Sequence, residues 1–265
     1  MFYKTLNEFK SDNGYEVNGI WYPRVTSILS IKAKPGLYKF YADQVNFAAA
    51  EKIKNQSADE GTLLHEVVEA ILANKEVTIP DQIKPAVNAF LKFREGHNIV
   101  PHLIEERVQS DKHYYAGTID VLAEVDGELG VLDIKTSYAI YRDYYLQAAA
   151  YVEALHENPT RYSLPAGRQA LARWILRIDQ SRLCLRGCGA TMREKGGNTK
   201  IRKDKGACPH EWGEMVGEVE LRQIPDFDKD IRAFLAAKSL WEWEHDYFVS
   251  KIKNSPTWVN QNKLL

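Results

Sequence analysis

YAGTIDVLAEVDGELGVLDIKTS, residues 115–137, consists of two apolar, strand-like runs around an Asp-Gly pair. Such a pair between apolar runs is the strongest short-range signal for a β-hairpin. With Asp126 and Gly127 at the centre of a two-residue turn, Asp120 is expected directly opposite Asp133. Facing Cβ atoms of an antiparallel pair lie about 4.5–5.5 Å apart. Lys135 follows Asp133 by two residues and therefore projects from the same face. Two carboxylates and an ammonium are thus expected at one point of a sheet. Two bare carboxylates repel and one pKa rises, whereas a divalent cation accepts both as hard oxygen ligands. The plainer reading is a solvated hairpin face. Against it stand Ile119, Val121, Leu122, Val131, Leu132 and Ile134. Strands apolar on both faces are normally covered on both, and charge inside them needs a partner or a metal.

Outward from the hairpin, the pattern alternates between helices and strands. Residues 15–31 read as a hairpin turning at Asn18-Gly19, followed by a short helix. Helices are expected over 37–54 and 58–74, the second with Leu63, Leu64, Val67, Val68, Ile71 and Leu72 at helical spacing. A third starts at Pro85 and ends at Gly96. Residues 103–109 form a strand before the hairpin, and 141–157 a helix that stops before Asn158-Pro159. After a loop with Pro165 and Gly167, strands are expected over 171–179 and 217–224, with a Gly/Lys-rich insert between them. Asp226 caps a last helix that reaches about Tyr247. This order implies an α/β fold with a central mixed sheet, in one domain over 1–265 with an insert at 181–215.

Three further segments carry chemistry-bearing residues. GTLLHEVVEAIL, residues 61–72, places Gly61, His65 and Glu69 four residues apart, on one helical face. YYLQAAAYVEAL, residues 144–155, places Gln147 and Tyr151 on one face. VNGIWYPRVTSILS, residues 17–30, precedes both. On residues alone, His65 also fits packing at a helix–sheet junction, and Tyr144, Tyr145 and Tyr151 fit a packed helix face.

The succession G-x3-H, D, D-x-K, Q-x3-Y resembles the RecB-type exonuclease branch of the PD-(D/E)XK nuclease superfamily. The 17–30 stretch is similar to a "yPSVT-IL" segment of phage and bacterial members, with Arg24 where Ser is usual. The resemblance spans most of 15–155 and, more loosely, ARWILRI (172–178) and the C-terminal helix. It implies a restriction-endonuclease-like central mixed β-sheet flanked by helices and a metal-dependent deoxyribonuclease. Such an enzyme hydrolyses DNA at ends or in single strands during recombination, repair or replication, with a recombination or replication protein as a further partner. It also implies Mg²⁺ or Mn²⁺ held by His65, Asp120, Asp133 and the backbone carbonyl of Ile134, a mixed N/O set that suits either ion. Lys135 would orient a water whose pKa the cation lowers, or neutralise charge growing on the phosphoryl oxygens. Gln147 is given a positioning role near Lys135 and the DNA backbone, and Tyr151 supports that geometry or stacks near a base. Glu69 is expected to face solvent or to orient His65 from behind; Glu106 is a possible outer ligand. Two other readings share this sequence: a nuclease-fold protein that binds DNA or a partner without cutting, and a restriction-like endonuclease. The intact Asp120, Asp133 and Lys135 favour the enzyme over the silent binder, and His65 and Gln147 favour the RecB-type branch.

The insert carries Cys184, Cys188, Cys208 and His210, in the order C-x3-C, a 19-residue gap and C-x-H. Four Cys/His ligands suffice for a closed structural Zn²⁺ site, although three unrelated thiols in a surface loop would read the same way. An iron–sulfur cluster lacks its fourth cysteine. REKGGNTKIRKDKG (193–206) is basic and offers Lys200, Arg202, Lys203 and Lys205 to phosphates, or simply to water.

Composition sets bounds. With 265 residues and 45% apolar content the chain can bury one large core. The three cysteines lie together, so no disulfide framework spans the chain, as expected in a reducing cytosol. No apolar run of membrane-spanning length and no leader pattern occurs, so a cytoplasmic protein is expected. A net charge of −1 does not point to DNA; phosphate contacts require only a local basic stripe.

Overall fold

The computed structural model describes residues 3–164 and 171–256. Along the chain it contains α1 (Leu6–Asn13), β1 (Gly14–Val17), β2 (Ile20–Pro23), α2 (Val25–Ile28), α3 (Pro35–Ala42), α4 (Phe47–Leu72) and α5 (Lys84–Glu95). There follow β3 (Ile99–Ser110), β4 (Tyr115–Val125), β5 (Glu128–Lys135), α6 (Arg142–Glu157) and β6 (Ala172–Cys184). The remainder is β7 (Thr191–Lys195), β8 (Asn198–Arg202), β9 (Trp212–Gln223), α7 (Phe227–Glu244) and α8 (Asp246–Val249).

Seven strands form one sheet in the order β3-β4-β5-β6-β7-β8, with β9 also paired to β6. Among the described residues of this sheet, β5 and β6 run parallel, joined through α6, and the other paired neighbours are antiparallel. A parallel pair needs such a crossover, because a hairpin turn cannot reverse the chain twice. The expected mixed α/β sheet is therefore present. One face packs on α1, α6 and α7 through Phe9, Ile119, Val131, Leu155, Phe234 and Trp241. The other packs on α4 and α5 through Val68, Leu72, Phe90, Val121, Leu132 and Ile134. No described helix is long and apolar enough to cross a membrane.

Several boundaries differ from expectation for local reasons. The helical break falls at 43–46 rather than 55–57, because Asn46 adopts an extended backbone and its side chain accepts the Ala49 amide at 2.8 Å. Residues 55–57 contain no Gly or Pro, and α4 runs through them for 26 residues in all. α1 begins where Thr5 Oγ1 accepts the Glu8 amide at 3.1 Å, with too few apolar residues to show a period. Asp226 holds the N-cap position of α7 in a left-handed backbone (φ 60°) but makes no side-chain capping bond. The insert is not a loop: β6 and β9 extend into it, and β7 and β8 form a hairpin at the sheet edge. The Pro165 and Gly167 turn lies outside the described residues.

Candidate metal centre

The β4–β5 ladder has the expected register, from Val125 with Glu128 to Val121 with Leu132. It stops one pair short of Asp120 and Asp133. There the Asp120 side chain replaces a ladder bond: Ile134 donates its amide to Asp120 Oδ2 at 2.7 Å. The side-chain alternation of β4 also slips at this point. Ile119 and Leu122 pack with α6 and α7, whereas Val121, Ala123 and Val125 pack with α4 and α5. A strand in strict alternation cannot do that. Asp120 consequently does not simply face Asp133; it approaches His65 of α4, with 3.8 Å between Oδ2 and Nδ1.

α4 reaches the sheet at Gly61. A Cβ there would sit 2.9 Å from Thr136 Oγ1, so the glycine permits the close approach. One turn on, His65 is beside Asp120 and Glu69 Oε1 is 4.0 Å from His65 Nδ1. Ligand atoms of His65, Glu69 and Asp120 all lie within 4.8 Å of one another. Glu69 is therefore part of the cluster and is buried, not turned to solvent. Burial lowers the His65 pKa, against the pull of Asp120, so its imidazole is neutral and free to donate a lone pair. Burial, reinforced by Glu105, raises the Glu69 carboxyl to about 8.

Glu105 was not expected here; the sequence directs attention to Glu106 next to it. The β3–β4 register pairs Ile104 with Val121 and Glu106 with Ile119, which brackets Glu105 against Asp120. Glu105 has a left-handed backbone (φ 52°), unusual within a strand and strained for a residue with a side chain. Its carboxyl pKa is raised by burial, with Asp120 adding to the rise. His65, Glu69 and Glu105 line one cleft of about 570 Å³ with Gly61, Glu66 and Thr136. The register that places Glu105 is set by a four-residue connection, 111–114, which carries no strong turn signature.

Asp133 and Lys135 project from β5 toward α6. Asp133 is fully buried, and its Oδ1 has no hydrogen-bond partner among the described residues. Lys135 Nζ lies 2.6 Å from Oδ2 as an ion pair. Burial raises the Asp133 carboxyl to about 7 even against this ammonium. Burial works against the Lys135 ammonium as well, yet Asp133 and Asp120 hold its pKa above the ordinary lysine value. The Tyr144 ring lies 5.2 Å from Nζ. Gln147 Nε2 donates to Tyr151 Oη at 3.0 Å. Tyr151 is buried against Gly117, where a Cβ would come within 2.4 Å of its ring. Its helical position is thus first a packing position.

A second cluster joins Cys184, Cys188, Cys208 and His210, whose ligand atoms also lie within 4.8 Å of one another. Basic side chains surround a neighbouring pocket of about 240 Å³: Lys54, Arg193, Lys195, Lys200 and Arg202. Ser57 lines both this pocket and the acidic cleft. Arg24, which follows β2, and Arg107 of β3 lie over the Tyr15 ring at 4.5 and 3.9 Å.

A scan against protein-family models gave no match, and neither did a search of curated proteins.

Proposed function

We propose that this chain is a divalent-metal-dependent deoxyribonuclease of the PD-(D/E)XK type, built on a restriction-endonuclease-like core. The observation that carries the reading is Asp133: a fully buried carboxylate with an unpartnered Oδ1, paired with Lys135 and, although outside the His65, Glu69 and Asp120 cluster, close enough to Asp120 to feel its charge. Burying an incompletely satisfied carboxylate costs several kcal/mol, and such groups cluster where chemistry requires them. A surface charge cluster would not put its carboxylate in the core.

The donors fit Mg²⁺ or Mn²⁺. Carboxylate oxygens with one neutral imidazole suit hard or borderline cations better than soft ones. His65, Asp120 and Asp133 would hold the ion, with the Ile134 carbonyl and Glu69 completing the shell. Bound there, the cation supplies Lewis acidity toward a phosphoryl oxygen and toward water. Lys135 presents Nζ beside Asp133, where it orients a nucleophile and neutralises charge developing on the phosphate. Gln147, held by Tyr151, presents its amide from α6. The basic wall of Lys54, Lys195, Lys200 and Arg202 gives the phosphate backbone a track beside the acidic cleft.

Preference for DNA ends or single strands, and a place in recombination, repair or replication, follow from the RecB-type resemblance. The test is incubation of end-labelled single-stranded and duplex linear DNA, with a closed circle alongside, in Mg²⁺ or Mn²⁺. The reading predicts that the wild type degrades the linear substrates and that Asp133→Ala leaves them intact. Cutting of the circle would make the enzyme an endonuclease. DNA bound but uncut under every metal condition would replace the enzyme with a nuclease-fold binding protein.

A further inference from the structure

The Cys/His cluster has the dimensions of a filled coordination shell. Cys184 Sγ and Cys208 Sγ are 3.9 Å apart, and Cys188 Sγ and His210 Nδ1 are 3.5 Å apart. All three cysteines are free thiols, and 3.9 Å is far beyond a disulfide bond. A tetrahedral Zn²⁺ with bonds of ~2.3 Å to sulfur and ~2.0 Å to nitrogen leaves S···S edges of roughly 3.8 Å and S···N edges of roughly 3.5 Å. Both measured edges agree with those values.

The surroundings are built to match. The Ala190 amide donates to Cys188 Sγ at 3.4 Å, as amides in a knuckle turn do toward a thiolate. Gly187 and Gly189 have φ of 69° and 80°, the left-handed backbone that such a turn requires. The far nitrogen of His210, Nε2, lies 3.2 Å from Asp204 Oδ1. Nε2 is not aligned for a hydrogen bond to it, but the nearby carboxylate favours a proton on Nε2 and so leaves Nδ1 to bind metal.

The insert has little apolar core of its own. Between Leu183 and Glu211 only Cys184, Ala190 and Gly196 are buried, while Leu183, Leu185 and Ile201 are exposed. Segments of this size without an apolar core depend on a crosslink or a metal. β7 pairs with β6 only at Arg182–Met192 and Leu183–Thr191, and the ladder of β8 is with β7 alone. Cys184 and Cys188 precede this hairpin, and Cys208 and His210 follow it. A metal between them closes its base.

The tip of the same hairpin reaches the candidate active cleft. Arg193 Nη2 and Lys195 Nζ donate to the Thr136 carbonyl at 2.7 and 2.8 Å, directly after Lys135. Gly196 donates its amide to Glu60 Oε1 at 2.9 Å, one residue before Gly61 of α4. We propose that Cys184, Cys188, Cys208 and His210 form a structural Zn²⁺ site that holds the β7–β8 hairpin against the cleft, so that Lys195 and its basic neighbours form a fixed wall. The site stands independently of the nuclease reading.

The test uses the full chain purified without chelator, in the absence of DNA. Elemental analysis is expected to give about one zinc per chain, and to lose it in Cys188→Ser and His210→Ala. Because a variant can misfold, amide hydrogen exchange is also followed on the wild type, with zinc stripped by a thiol-compatible chelator and then restored. Removal is expected to speed exchange in residues 191–202 at least ~10-fold while leaving β4 and β5 protected, and restoration to reverse it. Absence of zinc, iron in its place, or zinc whose removal leaves the hairpin equally protected would overturn the proposal. A chain that binds zinc in this way but never cuts DNA would overturn the nuclease reading alone.

Discussion

Glu69 and Asp133 are carboxyls that burial has pushed to about 8 and about 7. For Glu69 the folded value lies above the ordinary one, so the folded chain binds its proton more tightly than the unfolded chain does. Its contribution is therefore full below the ordinary carboxylate range and fades as pH rises toward about 8. A divalent cation needs the deprotonated form and reverses the trend. The metal-free protein is predicted to lose melting temperature between about pH 5 and pH 8, while the increment from added Mn²⁺ grows over the same window. An Mn²⁺ increment that stays constant with pH would mean that these carboxyls do not hold the ion. Tyr151 gives a second residue-scale expectation. Tyr151→Phe removes the bond from Gln147, worth about 0.5–1.5 kcal/mol, but keeps the ring packed on Gly117. Melting should drop by a few degrees and cleavage should fall less than about tenfold; a drop beyond ~100-fold would make the hydroxyl part of the chemistry.

Elements show where sequence reading succeeds and where it fails. The Asp-Gly hairpin fixes its own register through a local turn, so the β4–β5 pairing from Val121 to Val125 is legible from the letters alone. Asp120 departs from strict alternation because its side chain competes for the Ile134 amide, an interaction that no period-two pattern encodes. Glu105 depends on pairing across a loop without turn chemistry, and its strain shows only in the backbone. The insert reads as polar and flexible, yet it folds as a hairpin docked by hydrogen bonds to Thr136 and Glu60. That docking is testable at Gly196. Its φ is 61°, and a Cβ would come within 2.1 Å of Ser57 Oγ and 2.5 Å of the Ile53 carbonyl. Gly196→Ala should destabilise the protein by about 1–3 kcal/mol in denaturant titration and expose the hairpin to exchange. Unchanged stability would mean that the tip is not seated on α4.

Across the whole molecule, charge is separated rather than excessive. The net charge is −1, but the acidic cleft of Glu66, Glu69 and Glu105 adjoins a pocket rimmed by Lys54, Arg193, Lys195, Lys200 and Arg202. A cation in the cleft and phosphates along the basic rim would neutralise both. Replacing Lys200, Arg202, Lys203 and Lys205 by Gln should flatten the slope of log affinity against log salt, by up to ~0.7–0.9 for each phosphate that is no longer neutralised. An unchanged slope would place the DNA elsewhere. The central claim is that Asp133 and Lys135 sit at the cutting point of a metal-dependent nuclease. Its most direct test is single-turnover cleavage of linear DNA at saturating Mn²⁺ by wild type and Lys135→Ala, with Mn²⁺ affinity measured on the same preparations. The account predicts Mn²⁺ affinity retained in Lys135→Ala and a cleavage rate reduced by at least ~10²-fold. A Lys135→Ala protein that cuts at the wild-type rate would contradict it.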